Sequence, residues 1–301
     1  MKSITEQSNK LLISFSGGET SAYMTWWLLN EFKDWKEMIV VFANTGEENE
    51  QTLEFVNKCD KELGFNTVWV EAVINPIFRK GTRHKIVTFE TANRNGNPFE
   101  KMIEKYGMPN INYPHCSREL KGNVIRSYAR SIKWKKNDYK TAIGIRSDEI
   151  DRISKDWEKE KLWYPLISSK ITKPFINKFW NNQSFRLELK GYEGNCKTCW
   201  KKSLRKHLTI AKEHPNHFDN FKLWEMKFDR FVPESRVKDE ESLPIRFFRD
   251  NLSVDNILEL SKKPFKPALN DAENYTEVIQ LGLFDIPLDL SNGCIESCEV
   301  F

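Results

Sequence analysis

The chain has little that would take it out of water. Its longest apolar run in the first half is Met38 to Ala43, six residues, far short of the roughly twenty that span a bilayer. The first residues read as polar and then as a strand, with no apolar stretch ending in a small-residue cleavage site, so no secretory signal is expected. Neither sign of charge dominates: 47 Lys and Arg stand against 43 Asp and Glu, a formal +4. That permits an anionic ligand without demanding nucleic acid. Six cysteines in 301 residues are too few for a disulfide scaffold. There are no internal repeats and no low-complexity tract. A cytoplasmic protein without a membrane partner is the expectation.

What remains is a chain long enough for a sizeable core, and 39% hydrophobic residues with 20 Phe and 10 Trp can fill one. The first part alternates short apolar strands (Lys10–Phe15, Met38–Ala43, Thr67–Ala72, Tyr139–Ile145) with helical patterns (Thr20–Glu31, Gln51–Leu63, Cys116–Trp134). Strands that are apolar throughout are covered on both faces, which predicts an α/β fold with a doubly wound, mostly parallel sheet. From Trp163 onward the pattern is helical: Thr172 precedes a helix with Pro174 in its first turn, and Ser203–His214, His217–Phe231 and Ser253–Ser261 follow. Ser261–Asn274 reads as a linker. The expected division is a nucleotide-binding domain over 1–165 and a mainly helical region over 166–301.

The most informative motif is Ser14-Phe15-Ser16-Gly17-Gly18-Glu19-Thr20-Ser21, lying between the first strand and the first helix. Glycines let backbone N–H groups approach an anion, and the helix that follows directs its open N–H groups and positive dipole end at the same point. The loop has neither the G-x-x-x-x-G-K-[ST] spacing of a Walker loop nor the G-x-G-x-x-G of a dinucleotide fold. It reads as a cradle for phosphate, pyrophosphate or sulfate; an ordinary strand-to-helix turn is the plainer alternative.

These residues, with Val41-Phe42-Ala43-Asn44-Thr45-Gly46, Cys116-Ser117-Arg118-Glu119-Leu120-Lys121, Gly144-Ile145-Arg146-Ser147-Asp148-Glu149 and Tyr164-Pro165-Leu166, resemble the phosphoadenosine phosphosulfate (PAPS) reductase family of the PP-loop ATP pyrophosphatase superfamily, the adenine nucleotide α-hydrolases. The resemblance covers roughly residues 10 to 200. It implies that Ser14, Ser16, Gly17, Gly18, Thr20 and Ser21 hold phosphates, that Ala43, Asn44 and Gly46 border the adenosine, and that Gly144 lies beside the nucleotide. It places Arg118, Lys121 and Arg146 at the anionic end, Lys121 and Arg146 with a catalytic part. Two departures stand out: Thr20 replaces the Asp usual in ATP-hydrolysing members, which bears on magnesium, and Asn44 opens the motif that is commonly D-T-G.

The cysteines fall in groups: Cys116 follows His115, Cys196-x-x-Cys199 comes eighty residues later, and Cys294 and Cys298 sit near the end. Three thiols and an imidazole suit tetrahedral zinc as well as iron. By resemblance to the adenylyl-sulfate-reducing branch, His115, Cys116, Cys196 and Cys199 would hold a [4Fe–4S] iron–sulfur cluster, zinc being the alternative; His207 could stand in for His115. Buried thiols that bind nothing are the bland reading. The resemblance also implies a nucleophilic cysteine near the C-terminus, a part open to Cys294 or Cys298, although the Cys-Gly-Leu-His context of true reductases is absent.

Three functions follow. A sulfonucleotide reductase would bind adenylyl sulfate or PAPS, attack sulfur with a tail cysteine and draw on thioredoxin or a similar reductant. An ATP pyrophosphatase would adenylate tRNA or DNA for sulfur transfer from a sulfur-donor protein; the basic segments Arg126–Lys136 and Lys197–His207 would suit the phosphate backbone. A nucleotide-binding module stabilised by metal would turn nothing over.

Overall fold

The computed structural model describes residues 9–32, 35–194, 196–233 and 244–272. Six strands form one sheet in the order β4-β3-β2-β1-β5-β6: β1 is Lys10–Phe15, β2 Glu37–Asn44, β3 Val68–Val73, β4 Arg83–Val87, β5 Tyr139–Ile143 and β6 Leu162–Trp163. All neighbours run parallel except β4, which returns antiparallel along β3 at one edge. The helices are α1 (Glu19–Glu31), α2 (Glu50–Leu63), α3 (Asn97–Tyr106), the single turn α4 (His115–Ser117), α5 (Asn123–Ser131), α6 (Pro165–Ser168), α7 (Lys173–Asn181), α8 (Leu204–Glu213), α9 (Asp219–Phe228) and α10 (Val254–Ser261). A π-helical turn, Arg118–Gly122, joins α4 to α5. No helix among the described residues is long and apolar enough to cross a membrane.

The period of two along each strand sorts the core. Leu11, Ile13 and Phe15 of β1 and Val40 and Phe42 of β2 face one cluster with residues of α1, α2 and α7. Leu12, Val41 and Val70 face the other, which takes in Met102 of α3, Val124 of α5, Leu208 of α8, Trp224 of α9 and Ile257 of α10. The C-terminal helices therefore share the apolar layer on one face of the sheet. Cys59 of α2 is fully buried in the opposite layer, where burial pushes its thiol pKa up; it packs as an apolar side chain.

Local signals set several element ends. Gly64 takes φ +67° after α2, and the Ser203 hydroxyl accepts from the Lys206 N–H to cap α8. Two elements escape the sequence pattern: β4, which is charged and mostly exposed, and α3, within what reads as an irregular stretch. The expected linker is also different through residue 272. Ala268 N–H donates to Thr209 Oγ1, Arg205 donates to Pro267 O, Gly191 N–H to Asn270 Oδ1, and Asn177 Nδ2 to Asp271 O. Side chains of α7 and α8 and the chain at Gly191 thus strap this segment down.

Gly144 marks the closest approach of sheet and helix: a Cβ there would lie 2.9 Å from Ser21 Cα, a backbone atom that cannot swing aside. Gly144→Ala should destabilise the fold by about 1–3 kcal/mol, read as a lower urea midpoint at unchanged m-value.

Candidate functional site

Three parallel strands, β3, β2 and β1, end on one edge of the sheet together with β5, and the loops that leave them build the site. The turn after β1 is tight because Gly17 takes φ +81° under Thr52 of α2, where a Cβ would meet Thr52 Cγ2 at 2.6 Å. Gly18 is the N-cap of α1 and offers no side-chain acceptor, so the first-turn N–H groups are left for an outside anion. Ser21 shapes the loop: its hydroxyl donates to Gly18 O (3.0 Å), lies 2.9 Å from Ser16 Oγ and accepts from Ser16 N–H (3.2 Å).

Ser16, Gly18, Thr20, Ser21, Gly144 and Arg146, all candidates from the sequence, line one cavity of about 160 Å³. Arg146 Nη1 donates to Thr20 Oγ1 at 3.1 Å, and the same guanidinium meets Asp148 and Glu149. Arg152 binds Glu149 at 2.6 Å. Glu19, also on the wall, is held by Arg186 at 3.0 and 3.1 Å. The wall carries two cations without a signal in the sequence. Lys190 comes from the segment before the C-x-x-C. Lys173 stands in the first turn of α7, where burial pushes its ammonium pKa down while Asp271 opposes the shift. Lys173 makes no hydrogen bond or ion pair among the described residues. Nothing in the run Thr172-Lys173-Pro174 separates it from an ordinary helix start.

A second, smaller cavity of about 20 Å³, room for about one water, is lined by Thr45, Cys116, Ser117, Lys121, Cys196, Cys199 and Trp200 among others. The residue pair Glu48 and Cys196 forms an isolated β-bridge, and Thr45 Oγ1 lies 4.0 Å from Cys196 Sγ. Glu48 is buried; burial raises its pKa, and Lys121, 4.0 Å away, with the Thr45 N–H and hydroxyl, opposes the rise. The buried Lys202 ammonium donates to the Cys196 carbonyl and fixes the C-x-x-C turn.

The structure thus collects Cys116, Cys196, Cys199 and Lys121 on one cavity. His115 does not line it: its Nε2 meets Gly107 O at 3.0 Å and its ring lies against Tyr106. His207 is buried between Phe218 and Phe248, both ring nitrogens lack a hydrogen-bond partner among the described residues, and burial drops its pKa to about 3. Among the described residues no three His, Cys, Asp or Glu side chains are arranged to hold a metal ion. The described residues thus do not bring the donors of a cluster or a tetrahedral ion together. Cys294 and Cys298 lie outside the described residues.

The remaining candidates serve elsewhere. Asn44 is fully buried and spends its amide on Glu71 Oε1 and Asn93 O. Gly46 accepts Gly96 N–H, Arg118 is exposed and pairs with Glu119, and Ser14 and Ala43 lie within strands; none lines either cavity.

Residues 10–156 match the model of the phosphoadenosine phosphosulfate reductase domain. Over this part the chain is similar to that family. The loop after β1, the ends of β1, β2, β3 and β5 and the π-helical turn all fall inside the match, whereas the C-x-x-C, Lys173 and Lys190 lie beyond it. A protein of Escherichia phage lambda, "uncharacterized nin region protein ORF290", is 28% identical over 295 residues, which span 96% of this chain and 94% of its own.

Beside the site, Glu47 is fully buried with Oε1 accepting from Asn220 Nδ2 and no partner for Oε2 among the described residues; burial raises its pKa from 4.5 to about 7. A raised carboxyl stabilises the fold fully below pH 4.5 and loses that contribution as pH climbs through 7. Glu47→Gln should therefore gain on the wild type between acid and mildly basic pH, by at most about 3 kcal/mol. Urea unfolding on both sides of neutrality checks this; a difference independent of pH would contradict it.

Proposed function

We propose that the chain is an adenine-nucleotide enzyme of sulfur chemistry that reduces a sulfonucleotide, adenylyl sulfate or its 3′-phosphorylated form, to sulfite. The observation that carries this reading is the path of one segment. Gly191 and Gly194 line the anion cavity, and Cys196 and Cys199, a few residues on, line the thiol cavity. A single turn thereby joins a polyanion site to a thiol pair. Thr20 supports the same choice: it stands where a metal-binding carboxylate is usual, and its hydroxyl accepts from Arg146.

In this reading the uncapped α1 turn, Ser16, Arg146, Arg152 and Lys173 hold the phosphate–sulfate end. A thiolate attacks the sulfate sulfur, the bond from sulfur to the bridging oxygen breaks, and the nucleotide leaves with that electron pair on its phosphate. The cations stabilise the charge that develops there. A second thiolate then attacks the cysteine Sγ of the S-sulfonate. Sulfite departs with the sulfur–sulfur electron pair and a protein disulfide remains, so two thiols have supplied two electrons. An external dithiol protein such as thioredoxin regenerates them. Cys294 or Cys298 would be the nucleophile carried over from the resemblance, with Lys121 beside the thiol cavity holding negative charge.

The test is product analysis under anaerobic conditions with adenylyl sulfate, PAPS and ATP in parallel. Sulfite from a sulfonucleotide, lost in the Cys294→Ser/Cys298→Ser double variant, is the expected result. AMP and pyrophosphate from ATP would replace it by adenylation of a tRNA or DNA for sulfur transfer, and tight nucleotide binding without product would leave a binding module. Lys173→Met should weaken nucleotide binding by about 2 kcal/mol, some thirtyfold, with the thermal midpoint little changed.

A further inference from the structure

The loop leaving β3 starts at the same sheet edge as the phosphate-cradling loop and returns as β4, the outermost strand. Between Glu71 and Glu90 it carries no acidic residue but has Arg79, Lys80, Arg83 and Lys85. Its tip is apolar and in solvent: Ile77 is 60% and Phe78 65% exposed. Arg79 lies over the Phe78 ring, 5.3 Å from its centroid.

The loop is pinned in place. The Lys105 ammonium donates to Asn75 O at 2.5 Å and to Lys80 O, which fixes both ends of the tip. The Thr82 hydroxyl donates to Glu119 Oε2 at 2.6 Å, so the loop is tied to the turn that carries Cys116 and Lys121. On the other side His84 meets Ser127 Oγ at 2.9 Å and sits close to Arg130, an exposed residue at the end of α5 followed by exposed Lys133. Lys85 is paired with Glu71, but Arg79, Lys80, Arg83, Arg130 and Lys133 make no ion pair among the described residues. Cations left unneutralised around an exposed aromatic ring are unusual for a merely solvated face, where charges of both signs interleave.

We propose that the 76–82 loop, β4 and the end of α5 form a track for single-stranded nucleic acid, with phosphates on Arg79, Lys80 and Arg130 and a base stacked on Phe78. Charge complementarity selects the partner. Arg79 and Lys80 at the tip and Arg130 beside His84 offer cations on the side where β4 meets α5, and a lone ring suits base stacking. An anionic membrane needs a broader apolar face than Ile77 and Phe78 offer. The track reaches the sheet edge where the nucleotide site lies, so a bound strand would pass close to the thiol cavity. This assignment does not rest on the reductase reading; sulfite release and strand binding are separate measurements.

The test is fluorescence anisotropy of labelled oligo-dT and oligo-U with the full chain, over about 50 to 200 mM salt. The wild type should bind with log affinity falling linearly in log salt. The Arg79→Gln/Lys80→Gln variant should flatten that slope by roughly 0.7 per cation removed, and Arg130→Gln likewise. Phe78→Ala should weaken binding about fivefold or more at unchanged slope. Circular dichroism spectra and nucleotide affinity should match the wild type in all three. Absence of binding at the lowest salt, or affinity indifferent to these variants, overturns the proposal. Capture by phosphatidylserine vesicles without oligonucleotide binding also overturns it and reassigns the surface to a membrane.

Discussion

The uncapped first turn of α1 is the constraint around which the rest of the site is arranged. Four backbone N–H groups at a helix start need partners, and a side-chain cap would satisfy one and block the approach to the others. Gly18 provides no such cap, and Gly17 makes the turn before it with a positive φ under Thr52. Ser21 then braces the loop from inside the helix through Ser16 and Gly18 rather than occupying the opening. Gly144 lets β5 come close enough for Arg146 to reach across to Thr20. The turn is anchored from behind: Trp180 Nε1 donates to Glu19 O and Arg186 takes the Glu19 carboxylate, so α7 and the segment after it hold α1 in register. An acidic residue in the first turn helps the helix dipole yet repels an anion; Arg186 removes the second effect.

Carboxylates at this edge are structural partners of the cations, hydroxyls and amides around them. Glu149 is taken by Arg152 and Arg146, Glu48 by Thr45 and Lys121, Glu119 by Thr82, Arg118 and Asn123, and Glu71 by Asn44 and Asn93. Most are buried, where an unpartnered charge would cost several kcal/mol. Glu47 is the exception and shows the consequence: with one oxygen unpartnered its carboxyl titrates near neutrality.

How much of this was legible depended on whether the signal was local. The anion loop is one contiguous run, so Ser16, Gly18, Thr20 and Ser21 could be read directly, and Gly144 and Arg146 followed from a second contiguous motif. The apolar strands β1, β2, β3 and β5 announced a two-sided sheet. By contrast β4 is a charged edge strand whose stability comes from pairing with β3 and docking on α5, so its own residues carry little pattern. Lys173 reaches the anion cavity through the packing of α7 on α1, which no spacing in the chain encodes. The segment 261–272 has the proline and lysine content of a linker but is held by acceptors and donors on distant helices. His115 adjoins Cys116 in sequence, yet within a helical turn neighbouring side chains diverge by about 100°, and Gly107 offers its imidazole a partner on the other side.

The same geometry explains why the two cavities belong to one site. The C-x-x-C turn cannot move independently of either: Lys202 ties its Cys196 carbonyl, the Glu48–Cys196 bridge ties it to the end of β2, and Asn49 Nδ2 donates to Gly194 O on the anion side. Residues 191–194 and 196–199 thus border the two cavities from one stretch of chain. The Lys202 link is buried, and the other two run through backbone groups, so the turn keeps Cys196 and Cys199 in a fixed place near the wall that Gly191 and Gly194 border.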